Sequence, residues 1–167
     1  MCGKWYRTDE RENAIESLEQ AARFYRSRLK HRWKWLMIAL HGALYGFAVS
    51  AVRGTDPDRV MRGQNLISPR EALIRCQSDA YMLQYIHSAR LQLSDEEKEA
   101  VAKLLNWIRD NLLHFKPHLW SIEIEWLSFI LKHSTRVIRF LALGSGNVRL
   151  HEVHRRRITR ALNALSR

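Results

Sequence analysis

Residues 94–126 read SDEEKEAVAKLLNWIRDNLLHFKPHLWSIEIEW. Ser94 followed three residues later by Glu97 is a capping box: hydroxyl and carboxylate each satisfy a backbone donor that the first helical turn leaves open. The acids Asp95, Glu96 and Glu97 suit the positive end of a helix dipole. Apolar residues then recur at Val101, Leu104, Leu105, Ile108, Leu112 and Phe115 with helical spacing. Pro117 disfavours helical geometry at Lys116, which stops the helix near Phe115 or Lys116. A turn follows, and a second helix begins between Trp120 and Ile124. The stretch is therefore two amphipathic helices joined at a proline stop, and each needs a partner for its apolar face.

The end of the first of these helices is chemically loaded. Arg109, Asp110 and His114 fall within six residues. His114 lies in the last turn, where the negative helix end favours imidazolium and nudges its pKa upward. Asp110, four residues earlier on the same face, can hold one ring nitrogen. Arg109 is five residues before His114, about 140° around a 3.6-residue helix, and a long arginine reaches across part of that angle. Two copies meeting about a twofold axis would bring two arginines and two histidines together more easily. The plain alternative is a helix end with a C-terminal histidine and an incidental Asp–His pair, since helix ends favour such residues in any case.

Arg109-Asp110-Asn111-Leu112-Leu113-His114 resembles the Arg-x(4–6)-His motif of the HEPN superfamily, with the polar residue that often follows its arginine. The flank His114-Phe115-Lys116-Pro117 with Trp120-Ser121-Ile122-Glu123 looks like a bacterial HEPN-like subfamily with an HF-x-P-x-x-WSIE signature. Arg26-Ser27-Arg28-Leu29-Lys30-His31 matches the short motif too and reads as coincidence on a basic helix, so the longer flank carries the specificity. Leu40-His41-Gly42-Ala43-Leu44, in an apolar second helix, extends the resemblance over most of the chain. The resemblance implies a small all-helical bundle, a homodimer, and a ribonuclease of a toxin–antitoxin or defence system that needs neither a metal nor another cofactor. It implies equally a second class of protein, an inactive HEPN module that binds RNA, a nucleotide or a partner protein. A cognate antitoxin protein, of the nucleotidyltransferase type, also follows from the family.

Composition bounds the rest. A chain of 167 residues suits one domain, taken here as 1–167, with one sizeable core. Seven glycines and three prolines leave few breaks, which favours long helices. Cys2 and Cys76 show no metal spacing and no disulfide framework, so a reducing cytosol is the expected compartment. The polar N-terminus shows no apolar signal region. The formal net charge of +11 speaks of partners: RNA, DNA, an anionic membrane surface or an acidic protein. No Walker loop, dinucleotide fingerprint, His-Glu-x-x-His or paired-cysteine zinc site occurs.

Along the chain, Thr8 or Asp9 caps a first, outer helix with the stripe Ile15, Leu18, Ala22, Tyr25 and Leu29. Trp35 to Val52 carries no formal charge and approaches transmembrane length. His41, Tyr45 and Ser50 interrupt the run, and Lys34 and Arg53 bracket it, so it reads as the central helix of a bundle rather than a membrane span. Gly42 and Gly46 would permit close helix packing there. Residues 53–68 read as an irregular surface excursion. Ser68-Pro69-Arg70-Glu71 forms another capping box for a short helix, which Ser78-Asp79 restarts and carries to about Arg90. After the motif, Trp126, Ile130, Val137 and Phe140 or Leu141 keep a core stripe up to Gly144, with Lys132, Arg136 and Arg139 together on another face. The last helix turns Leu150, Val153, Ile158, Leu162 and Leu165 to one side and sets Arg149, Arg156, Arg160 and Arg167 as a basic stripe.

The expectation is thus an all-α, single-domain bundle of about five to seven helices, dimeric, cytoplasmic and not in a membrane. His114 would do acid–base work, Arg109 would stabilise the transition state and Asp110 would orient His114. Asn111, Lys116, Arg149, Arg156 and Arg160 would contact RNA.

Overall fold

In the computed structural model, which describes residues 4–113 and 121–166 but not the side chains of 107–109 and 113, Asp9 starts the first helix. Its carboxylate accepts the Glu12 amide at 2.7 Å and caps α1, Glu10–Arg26. Ser27 ends that helix, and its hydroxyl accepts the Leu29 amide in the turn that follows. Leu29, expected on the core stripe, is therefore beyond the helix and 61% exposed. The next helix is α2, Arg32–Arg53.

The α2 helix lies at the centre. Its side chains from Leu36 to Val52 supply much of the core, with Met37, Leu40, Leu44 and Phe47 excluded from solvent. Each such side chain contributes roughly 1.5–3 kcal/mol when fully buried. By length and mean hydropathy alone, 1.6 over its most apolar window, α2 could cross a membrane; 61% of that window is buried inside the bundle. It packs antiparallel on α1, and Gly46 sets the approach: a Cβ there would meet the Ala14 Cβ at 2.6 Å. At Gly42 the fit is looser, 3.1 Å to the Ser17 hydroxyl. The guanidinium of Arg53 closes the far end of the pair on Glu10.

The C-terminus of α2 engages a side chain 32 residues further on. Gln84 folds over it and donates to the carbonyls of Val52 at 2.9 Å and Ala51 at 3.3 Å. Gly54, at φ +53°, leaves the room: a Cβ there would sit 1.9 Å from the Gln84 side-chain oxygen. A glutamine committed to this cap cannot stay in a helix. Between these points run a single 3-10 turn, Pro57–Val60, and a two-stranded hairpin, β1 Met61–Arg62 with β2 Asn65–Leu66, where an irregular excursion was expected. Ser68 caps α3, Pro69–Cys76, by accepting the Glu71 amide, while the Glu71 carboxylate pairs with Arg75 and Arg62. The capping box expected there is thus only half made. The helix restarts as α4, Asp79–Met82, and stops at Leu83, well short of Arg90, because of the Gln84 cap.

Ser94 forms its full capping box, with Glu97 N–H to Ser94 Oγ at 3.2 Å and Ser94 N–H to Glu97 Oε2 at 3.0 Å. It begins α5, Asp95–Ala102, which passes through a π turn at Lys103–Ile108 into α6, Arg109–Leu113, as one rod. The chain resumes in α7, Ile124–Arg139, which winds through a second π turn at Phe140–Gly144. Last comes α8, Glu152–Leu165. With α5 and α6 taken as one rod, the described residues make seven helices, 69% helix against 3% strand, an all-α bundle. A single connected core runs from α1 to α8. The α7 helix packs on α5 and α2, α6 on α2, and α8 alongside α1 with its C-terminal end against α7.

Asn147 locks the connections together. It is buried to 1%, and its amide donates to Met82 O at 2.9 Å and Ala51 O at 3.1 Å while its oxygen accepts from Ser88 Oγ at 2.6 Å. One side chain thus joins the end of α2, the end of α4 and the segment before α8.

Candidate functional site

The motif helix is held from its base. Its capping box fixes the start, and Val101, Leu104 and Leu105 bury its apolar side. The π turn then inserts a wide, i→i+5 turn immediately before Arg109, a feature frequent at functional sites. Lys103, on this turn, places its ammonium 5.9 Å from the Trp126 ring centroid, and Trp126 packs edge-on to Phe129 at 5.5 Å. Trp126 was expected in the core stripe; it is 40% exposed and braces the outside of the motif helix instead. Trp107 by its side chain, and Trp120 altogether, lie outside the described residues.

The residues expected to carry the chemistry divide by what the structure describes. Arg109 opens α6, and its side chain lies outside the described set. His114, Lys116 and Arg167 also lie outside it. Asp110 and Asn111 are half-buried on α6 and both engaged with neighbours. Leu112, one turn into α6, lines a cavity of about 180 Å³ with Lys30, His31, Lys34, Ile122 and Leu127. The motif helix therefore ends against the turn between α1 and α2, and that turn carries cations.

Sequence reasoning passed over this neighbour. The match Arg26…His31 was read as coincidence on a basic helix, yet it is not on one helix. Arg26 closes α1, Ser27 caps it and His31 precedes α2. Lys30, His31 and Lys34 come to the motif helix only through the α1–α2 reversal, which no local pattern displays. The second motif match was the only signal that could have drawn attention to them.

Of the expected basic stripe, Arg156 and Arg160 lie four residues apart on α8, and Arg167 is outside the described residues. Arg149 precedes α8; its guanidinium stands 5.9 Å from the Tyr85 ring centroid, and its carbonyl accepts from Arg11 at 2.9 Å. Arg156 pairs with Glu152 at 3.0 Å one turn back. Arg160 lines a groove with Glu19, Arg23, Arg26 and Arg157. Val153, expected on the core side, is 65% exposed, and Arg157, one turn later, bonds Glu12 and Glu19. Because α6 packs on α2 and α8 on α1, Arg156 and Arg160 belong to a different helix pairing from the motif.

The electrostatics follow these pairings. The Arg157 guanidinium beside Glu19 holds that carboxyl below its ordinary range, against the opposing effect of burial. The Glu12 backbone amide does the same for Asp9. His133 is pushed toward its neutral form, first by burial and then by Arg136 and Lys132 nearby; its ring lies 4.5 Å from that of Phe129. Burial pushes the Cys76 thiol far up, which makes it a packed core group rather than a nucleophile. Among the described residues, no group of three His, Cys, Asp or Glu is placed to hold a metal ion.

No family model, curated protein or solved structure matches this chain.

Proposed function

We propose that this protein is an RNA endonuclease of the HEPN type, metal-independent, acting as the toxin of a toxin–antitoxin pair or as a defence effector. The observation that supports the reading is Leu112 of the motif helix lining one cavity with Lys30, His31 and Lys34. RNA brings its own nucleophile. His114 takes the proton of the ribose 2′-hydroxyl, the 2′-oxygen attacks phosphorus, and the bond to the 5′-oxygen breaks as that oxygen gains a proton. The products are a 2′,3′-cyclic phosphate and a 5′-hydroxyl end. Arg109 stabilises the charge that builds on the phosphoryl oxygens, and Asp110 orients His114. Asn111, Lys116, Arg149 and the α8 arginines Arg156 and Arg160 serve as contacts to RNA, their strength falling with salt. In this reading the protein works as a homodimer in the cytoplasm, with α2 kept in the bundle core and a cognate antitoxin as regulator.

The test uses purified protein, total RNA and a chelator, beside His114→Ala and Arg109→Ala variants that keep the wild-type fold and mass. Cleavage by wild type, with a loss of at least about a hundredfold in each variant, is the expected result. No cleavage of any RNA favours the inactive binding module instead. Equal rates in the variants place the chemistry elsewhere.

A further inference from the structure

The carboxylates of this chain are spent unevenly. Arg11, Arg53, Arg59, Arg75, Arg90 and Arg157 each pair with an Asp or Glu. Among the described residues several other cations have no such partner, three of them on α7. Lys132, Arg136 and Arg139, at i, i+4 and i+7, share one face over about 10 Å of helix. Among the described residues none of the three has a carboxylate partner, and no acid lines the space in front of them. That space is a half-open cavity of about 390 Å³, bordered also by Tyr25 of α1 and by Leu165 and Ser166 at the end of α8. Its volume falls within the range of small-molecule sites.

Three like charges on one face repel one another, and burial beside them already pushes His133 toward its neutral form. The three side chains are exposed to solvent, and an anion in front of them would offset that repulsion. The hydroxyls of Tyr25 and Ser128 also border the cavity, while that of Ser166 donates to Leu162 O at 2.9 Å. Arg139 is held in place by a neutral partner, donating to Asn163 Oδ1 at 3.2 Å, which leaves its charge available. Two guanidiniums give forked donors that match phosphate oxygens, and the lysine adds a point charge.

We propose that this cavity between α1, α7 and α8 binds a compact phosphate chain, a di- or triphosphate, either free or as the tail of a nucleotide. The three walls bound a pocket rather than an open track, which suits a short polyanion more than a strand. The site shares no lining residue with the cavity at Leu112 of the motif helix and does not depend on the ribonuclease reading.

The experiment titrates inorganic pyrophosphate, then ADP and ATP, into the full chain at low salt, by calorimetry and by thermal shift. Wild type should bind one pyrophosphate per chain saturably and melt higher with it. Arg136→Gln and Arg139→Gln should each weaken that binding about tenfold or more, and Arg90→Gln, which breaks a pair elsewhere, should leave it unchanged. Tighter binding of ATP than of pyrophosphate assigns the nucleotide as source; equal binding assigns the free phosphate chain. The proposal is overturned by absent pyrophosphate binding, or by binding that the α7 variants do not weaken. It is also overturned if a single-stranded oligonucleotide binds through these arginines and pyrophosphate does not compete with it.

Discussion

Glu19 and Arg157 meet across the α1–α8 seam, the carboxylate accepting at 2.9 and 2.8 Å from two nitrogens of one guanidinium. The folded carboxyl titrates below its ordinary value of 4.5, chiefly through this bond. A carboxyl depressed in the folded state adds stability above its unfolded pKa and loses it as pH falls through the folded one. Glu19→Gln should therefore lower stability by about 1–2 kcal/mol at pH 7, with the gap to wild type closing below pH 4.5. Urea midpoints at pH 7 and pH 3 check this; a gap that stays constant would sink it. The pair was not legible in the sequence, because its partners are 138 residues apart. The Ser94–Glu97 capping box was, because it needs only a spacing of three. Asn147 shows the same limit from another side. Nothing in its local sequence marks it, and only the fold reveals that it is buried among carbonyls.

Helices with a strong local pattern were read well and their ends less so. The charge-free run of α2 gave its central place, and its glycine pair was expected to let a neighbour close in. Gly46 does so tightly against Ala14, Gly42 less so. Gly46→Val should cost about 2 kcal/mol or more from overpacking. Gly46→Ala should also destabilise, since about 1 kcal/mol of helix propensity gained does not offset a Cβ–Cβ approach of 2.6 Å. Chemical denaturation of both variants tests this; an alanine variant as stable as wild type would show that the α1–α2 seam gives way. The early stop of α4 was hidden, because Gln84 leaves the helix to cap another one. Periodicity sees the helix a residue could join and not the carbonyl that draws it away.

For the whole molecule, the all-α class followed from few glycines, few prolines and repeated amphipathic stripes. The candidate site was legible only as a motif. Its surroundings, Lys30, His31 and Lys34, depend on how α1 and α2 reverse, and the cationic cavity on α7 depends on where α1 and α8 end. The assembled state gives a prediction at this scale. The protein should purify from the soluble fraction without detergent, and light scattering should give twice the chain's 19.8 kDa. A detergent requirement would return α2 to the membrane reading, and a monomeric mass would oblige one chain to provide the whole cleavage site.

The wide turn at Lys103–Ile108 has a consequence for any redesign of this rod. It accommodates a residue that uninterrupted α-helical winding would not need, so the surplus is absorbed within one turn. Removing one residue from Lys103–Ile108 would restore even winding and leave α6 on nearly its present bearing. Removing one from the regular turns of α5 would instead swing the α6 positions through about 100° while the helix around them stayed whole.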